Sequence, residues 1–144
     1  MNDAIWSLHP RLAADTVPVG DFVLCRLLLS KDAHYPWLIL VPRRADIREI
    51  HELSEADQQQ LLCESMLLSR ALMTAFAPTK LNIAALGNMV PQLHVHHIAR
   101  FETDAAWPAP VWGRVPAIDY DETARSERIR TLRELLGETL NPAD

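Results

Sequence analysis

The chain has 144 residues, 49% apolar and 23% charged, the size and mix of one globular domain. Such a chain buries roughly 70% of its unfolded surface, so it needs no disulfide or metal staple, and disorder is excluded as its main state. A net charge of −5, with twelve Arg against two Lys, excludes a general nucleic-acid binder but allows one positive pocket for a small phosphorylated ligand.

The longest apolar runs, such as Leu27-Leu28-Leu29 and Trp37 to Val41, are strand-length and too short to span a membrane. The first twenty residues lack the basic start and apolar stretch of an export signal. Cys25 and Cys63 sit in apolar segments and read as core thiols of a protein in a reducing cytoplasm. No fixed-period repeat and no low-complexity segment is present.

Residues 1–20, with Trp6, Pro10, Pro18 and Gly20, predict an irregular start holding a short strand or two. Phe22 to Leu29 is apolar on both alternating faces except at Arg26, the pattern of a central strand. Lys31, Asp32, His34 and Pro36 supply turn chemistry. Trp37 to Val41 is a second strand, and its spacing from the first predicts an antiparallel hairpin with a slightly long loop. Arg43, Arg44 and Arg48 follow as candidate phosphate ligands, although arginines after a strand are more often simply solvated.

Ser54 starts the clearest helix, with Glu55 and Asp57 in a first turn that favours anions. Leu61, Leu62, Met66, Leu68, Leu72, Met73 and Phe76 form its broad apolar stripe, which places both methionines in the core, and Pro78 ends it. Lys80 to Leu86 predicts a short strand, Gly87-Asn88 a turn, and Gln92 to Ala99 the next strand. From Phe101 to Pro116 the chain is rich in Trp and Pro and reads as an ordered loop, in which Trp107 and Trp112 either cover a pocket or stay structural. A last helix runs from Asp121 or Thr123 to Leu140, its arginines and glutamates interleaved as an exposed salt-bridged face. Antiparallel strands broken by one long helix predict an α+β fold.

Asn88 to Arg100 carries the chemistry. In a strand, Gln92, His94, His96 and Ile98 share one face, while Leu93, Val95 and His97 share the other. Polar groups gathered on one face cost several kcal/mol unless partners satisfy them, so the pattern reads either as a functional site or as a polar structural network. One chemistry for it is a zinc site using His94, His96 and a distant third ligand such as His34, His51 or Asp104. The other is attack on phosphorus by a neutral imidazole, with neighbouring donors offsetting charge on the phosphate oxygens.

Gln92-Leu-His94-Val-His96-His97-Ile98 resembles the histidine triad (HIT) signature, in which histidines alternate with apolar residues. Trp37 to Pro42, Arg43-Arg44, and His51-Glu-Leu-Ser54-Glu resemble the family's strand, basic pair and helix start. The likeness spans roughly residues 20–100 of a single domain, with a tail, 101–144, similar to a bacterial branch. It implies an antiparallel sheet with one long helix and a C-terminal helix. It also implies hydrolysis of, or transfer from, a nucleoside phosphate or dinucleoside polyphosphate through a nucleotidyl-histidine. By that resemblance His94 is the nucleophile, His96 contacts phosphate oxygens and helps the leaving group depart, and Gln92 and Asn88 position the phosphate. Arg100 and Trp37 are further nucleotide-binding candidates, Trp37 as a stacking surface for a base. A homodimer through the long helix and adjoining strand, and no required metal or cofactor, are implied too.

The chain departs from the pattern at several places. Gln92 stands where the first triad histidine would be, and an amide can donate but cannot carry a titrating proton. Only Gly87 remains of a turn that often has two glycines, and Pro36-Trp37 stands near the usual Gly-His pair. A nucleotide-binding protein with little turnover is therefore the first alternative, and a metal-dependent enzyme using His94 and His96 the second.

Overall fold

A computed structural model describes residues 5–144; residues 1–4, part of the predicted irregular start, lie outside the described residues. The elements run α1 (Pro10–Asp15), β1 (Thr16–Asp21), β2 (Cys25–Ser30), β3 (Trp37–Pro42), α2 (Glu55–Phe76), β4 (Lys80–Ala84), β5 (Val95–Arg100), α3 (Glu122–Leu136) and β6 (Asn141–Pro142). The strands form one six-stranded sheet in the order β4-β5-β3-β2-β1-β6, with neighbours antiparallel. The α+β class and the β2–β3 hairpin follow the sequence reading.

β2 and β3 lie mid-sheet and bury both faces, which is why neither shows a polar alternation. Leu27, Leu29, Leu38, Leu40 and Val95 pack on one side with Leu61, Leu68 and Leu72 of α2 and Leu132 and Leu136 of α3. Leu28, Ile39 and Val41 pack on the other with Leu12 and Val90, flanked by Trp6, Leu8 and Trp37. The first side is the helical layer; the second is covered by α1 and loops, and it carries the site.

The Ser54 hydroxyl accepts from Asp57 N–H and caps α2. Ala77, in the left-handed region at φ 46°, closes the helix before Pro78. Halfway along, the buried Glu64 accepts backbone N–H groups of Leu24 and Cys25 with its two carboxylate oxygens, at 2.9 and 2.7 Å, tying α2 to the start of β2. Burial, followed by the Glu64 carboxylate, pushes the Cys25 thiol well up.

Several expectations need correction. The start of the chain contains a helix, α1, opened by Pro10 at its first position and by the His9 ring accepting from Arg11 N–H. β2 begins at Cys25, because Phe22 N–H turns back to the Cys25 carbonyl. On α2 the stripe is narrower than its composition suggests: Leu62 and Met73 are exposed, and so is Cys63, while Cys25 is buried. The arginines of α3 form no ion pair among the described residues. Arg133 donates to the Val19 and Ala143 carbonyls, and Arg128 to the Tyr120 hydroxyl.

Candidate functional site

β5 is buried along its whole length, so each of its polar side chains needs a partner. His96 pairs across the sheet with Ile39 and Ala84 and points to the side away from the helices. His97 points the opposite way, where its Nδ1–H donates to the Val95 carbonyl and its Nε2 accepts from the Ser65 hydroxyl of α2. Burial lowers His97 to about 4, so the ring is a neutral clamp between sheet and helix. The predicted strand from Gln92 is shorter at its start: regular pairing begins at Val95, and Gln92 and His94 lie in the irregular segment before it.

Two hydrogen bonds settle the tautomers of His94 and His96. His94 Nδ1 lies 2.7 Å from the Gln92 carbonyl oxygen, which can only accept. Nδ1 of His94 therefore carries a proton, and in the neutral ring the lone pair is the one on Nε2. The Trp37 indole Nε1–H, which can only donate, lies 3.0 Å from His96 Nδ1. His96 accordingly carries its proton on Nε2. The two rings meet edge to face, 4.9 Å between centroids. Burial, then the nearby His94 and His97, push His96 down to about 3, so it is neutral at pH 7.

Both rings line an open cavity of about 610 Å³, a size suited to a small organic ligand. Asn88 and Trp112 also line it, and α1 contributes Arg11 and Asp15 to one wall. Asn88 is exposed in the turn after Gly87, whose φ of 73° suits a residue without Cβ. Trp112 stands edge-on to His96 at 5.0 Å and to Trp37 at 5.7 Å.

The structure thus brings His94, His96, Asn88 and Trp37 to one cavity and takes Gln92 and Arg100 elsewhere. The Gln92 amide accepts from His9 N–H at 2.8 Å and donates to the Ser7 carbonyl at 2.9 Å. Its side chain holds the N-terminal segment, and only its main-chain oxygen serves the histidines. The regular-strand assumption put it on the wrong surface. Arg100 is fully buried: its guanidinium makes a two-pronged pair with Asp104 and also donates to Asn82 Oδ1 and the Ala109 carbonyl. It organises the loop after β5 and has no open face for a phosphate. Trp37 is flanked by Tyr35, His96 and Trp112, with its N–H committed to His96, so it is a wall beside the histidine and no open stacking platform.

The other candidates resolve as follows. Arg43 clips the carbonyls of Phe22, Val23 and Leu24, and Arg44 pairs with Asp57 at 2.7 Å; both act in the fold. Among the described residues no three His, Cys, Asp or Glu side chains converge to hold a metal ion, so the distant third zinc ligand is not supplied by His34, His51 or Asp104. His34 faces the Pro116 carbonyl, and Asp104 is occupied by Arg100. Sequence reasoning missed α1 and Lys31 as lining groups, because nothing local in Arg11, Asp15 or Lys31 marks a wall assembled from segments far apart in the chain. Trp112 was legible only as one side of an open choice.

An antiparallel sheet with a long helix on one side and a pair of histidines on the other is the α+β architecture that the resemblance described above implies. The chain belongs to the histidine triad family: the HIT domain model matches residues 11–103. It is similar to a solved histidine triad protein from Bradyrhizobium japonicum, at 52% identity and a TM-score of 0.92, over 93% of this chain and 100% of that one. It is also similar to one from Marinobacter aquaeolei, at 51% identity and a TM-score of 0.90, over 92% and 97% of the two chains. A third, from Sinorhizobium meliloti, is 45% identical with a TM-score of 0.88, over 90% and 96%. No curated protein matches the chain. The family in general binds nucleotides and works as nucleotide hydrolases or transferases. No helix among the described residues is long and apolar enough to cross a membrane.

Proposed function

We propose that this protein is a nucleoside phosphate hydrolase or nucleotidyl transferase that acts at the α-phosphate through a covalent nucleotidyl-histidine on His94. The observation that carries this reading is the His94 Nδ1–H bond to the Gln92 carbonyl, which leaves the Nε2 lone pair on a ring that lines the cavity. That lone pair forms a bond to the α-phosphorus while the bond to the leaving group breaks, its electron pair departing with that group. The Gln92 carbonyl stabilises the positive charge that develops on the imidazole. His96 Nε2–H and the Asn88 side chain contact phosphate oxygens, and His96 assists departure as a hydrogen-bond donor to the charge that develops there. Water then attacks phosphorus and gives up a proton to solvent, the P–N bond breaks with its electrons returning to His94, and a nucleoside monophosphate is released. Another nucleophile in place of water makes the protein a transferase.

The binding-only alternative rested on Gln92 breaking the triad. Since the Gln92 amide lies away from the cavity and its carbonyl still orients His94, catalysis is the better-supported reading. A homodimer belongs to the same proposal: Leu62 and Met73 on α2 and Ile83 on the edge strand β4 are exposed apolar groups on the elements expected to meet a second copy. So does a cytoplasmic location, in keeping with two free cysteines.

The test is AMP release from adenosine 5′-phosphoramidate and from a diadenosine polyphosphate, wild type beside His94→Ala, with intact mass on quenched samples. Turnover and a nucleotidyl adduct in the wild type, both lost in the variant, are expected. Nucleotide binding without turnover or adduct in the wild type would reject the enzyme in favour of a binding protein.

A further inference from the structure

The hydrogen bond from Trp37 to His96 does more than orient a ring. The indole has one N–H and no acceptor on that nitrogen, so at 3.0 Å it demands a bare Nδ1 on His96. A second proton on His96 would have to go on that same Nδ1, and two N–H groups would then point at each other. Turning the ring to avoid this is obstructed, because His94 and Trp112 close on it edge-to-face at 4.9 and 5.0 Å and His96 is 6% exposed.

No carboxylate among the described residues is paired with His96. Ser65 and Val95 absorb the polar atoms of His97 on the opposite side of the sheet, and His94 gives its proton to the Gln92 carbonyl. The charged groups lining the cavity are Arg11 and Asp15 from α1, Lys31 and Asp32 from the β2–β3 loop, and Asp119 from the segment before α3. No hydrogen bond or ion pair joins any of them to His96: Lys31 donates to the Ala14 carbonyl and Asp32 accepts from His34 N–H. Burial and the neighbouring histidines act in the same direction as the indole, toward a neutral ring.

We propose that Trp37 is a positioning residue that fixes His96 as a neutral Nε2–H donor, so that His96 steadies phosphate oxygens but gives no proton to the leaving group. A neutral imidazole can release its last proton only by becoming a strongly basic anion, so the group that departs must manage its own charge. This inference rests on attack at the α-phosphate as proposed above, and it names the substrate class. Leaving groups are those that depart as weakly basic anions, such as a phosphate or phosphoanhydride, or as amines that take their proton from solvent before the P–N bond breaks. Alkoxide leaving groups, which need an acid, are strongly disfavoured. The balance is complete: the P–leaving-group bond breaks with its electron pair on the leaving group, and the His94–phosphorus bond replaces it.

Two measurements on the full chain test the proposal. In protein labelled with 15N-histidine, with His96 assigned by its loss in His96→Gln, the ring should stay neutral with its proton on Nε2 from pH 5 to 8. Trp37→Phe, which keeps an aromatic wall but removes the donor, should show both neutral tautomers and a several-fold lower kcat at similar KM. An imidazolium or an Nδ1–H ring in the wild type, or an unchanged tautomer in Trp37→Phe, would overturn it. In the second measurement, adenosine 5′-phosphate aryl esters of rising phenol pKa should react progressively more slowly in the wild type. A simple alkyl ester should trail by about 100-fold or more, the usual worth of a general acid. A flat series would mean that an acid is present and would overturn the proposal. No turnover of any ester or anhydride, with the Nε2–H tautomer intact, would refute the α-phosphate chemistry and with it the substrate class, and leave the indole's control of the ring standing.

Discussion

Gln92→Ala separates the two things that residue does, because only its side chain changes. The amide holds the Ser7 carbonyl and the His9 N–H, both more than 80 positions away in sequence. The main-chain oxygen holds His94 Nδ1 and is untouched by the substitution. A neutral hydrogen bond has a net value of about 0.5–1.5 kcal/mol. One of these is solvent-exposed and the other half-buried, so water replaces them in part and the pair together contributes about 1–2 kcal/mol. Thermal unfolding should drop by a few degrees, at about 2–4 °C per kcal/mol for a chain slightly larger than this. Amide exchange at His9 should accelerate as the N-terminal segment loosens, while kcat for AMP release falls by no more than a few-fold. Gln92→His should also lose stability, because an imidazole cannot present a donor and an acceptor from one carbon as an amide does. The reasoning is refuted if Gln92→Ala abolishes the nucleotidyl adduct while His9 stays protected, since the amide would then be acting on substrate.

Further outcomes follow from the same geometry. Arg100→Ala leaves the Asp104 carboxylate buried without its partner, so it should cost about 3–5 kcal/mol in urea unfolding without raising KM for nucleotide; a large KM effect at wild-type stability would make Arg100 a ligand. His96 and His97 are held at about 3 and about 4 in the folded chain, mainly by burial, against 6.5 as the ordinary value. Depressed folded values favour the neutral rings, so their contribution is complete above pH 6.5 and is lost as the pH falls toward 4 and then 3; a urea midpoint that is unchanged between pH 7 and pH 4.5 would contradict it. Asp104 behaves similarly further down. Burial alone would raise its carboxyl, but Arg100 and the N–H groups of Phe101, Ala106 and Trp107 outweigh that and hold it at about 2. Asp104→Asn should therefore lower stability at pH 7 and flatten the stability loss between pH 4 and pH 2.

Local chemistry made much of the fold legible. Ser54 with Glu55 and Asp57, the 3.6-residue stripe through Leu61, Leu68 and Leu72, and Pro78 define α2 without reference to anything distant. Likewise the apolar runs ending in Leu29 and Val41, the first interrupted only by Arg26, read as strands buried on both faces. The start of the chain was harder, because α1 has six residues and is held by Pro10, His9 and packing rather than by any periodicity.

Composition, strand alternation and the spacing of His94 and His96 were enough to determine an α+β chain with two histidines on a polar face. Tertiary structure alone decided what each polar group does there. Alternation assigns a face only while the backbone is regular, and the segment before Val95 is not, so Gln92 could be placed correctly only once the N-terminal segment lay beside it. Which imidazole nitrogen carries a proton depends on the atom opposite it. For His94 that atom is a carbonyl two residues back, and for His96 it is an indole 59 positions earlier. Spacing along a chain carries no information about a partner delivered by the sheet, and in this protein the sheet delivers the one that sets the chemistry of His96.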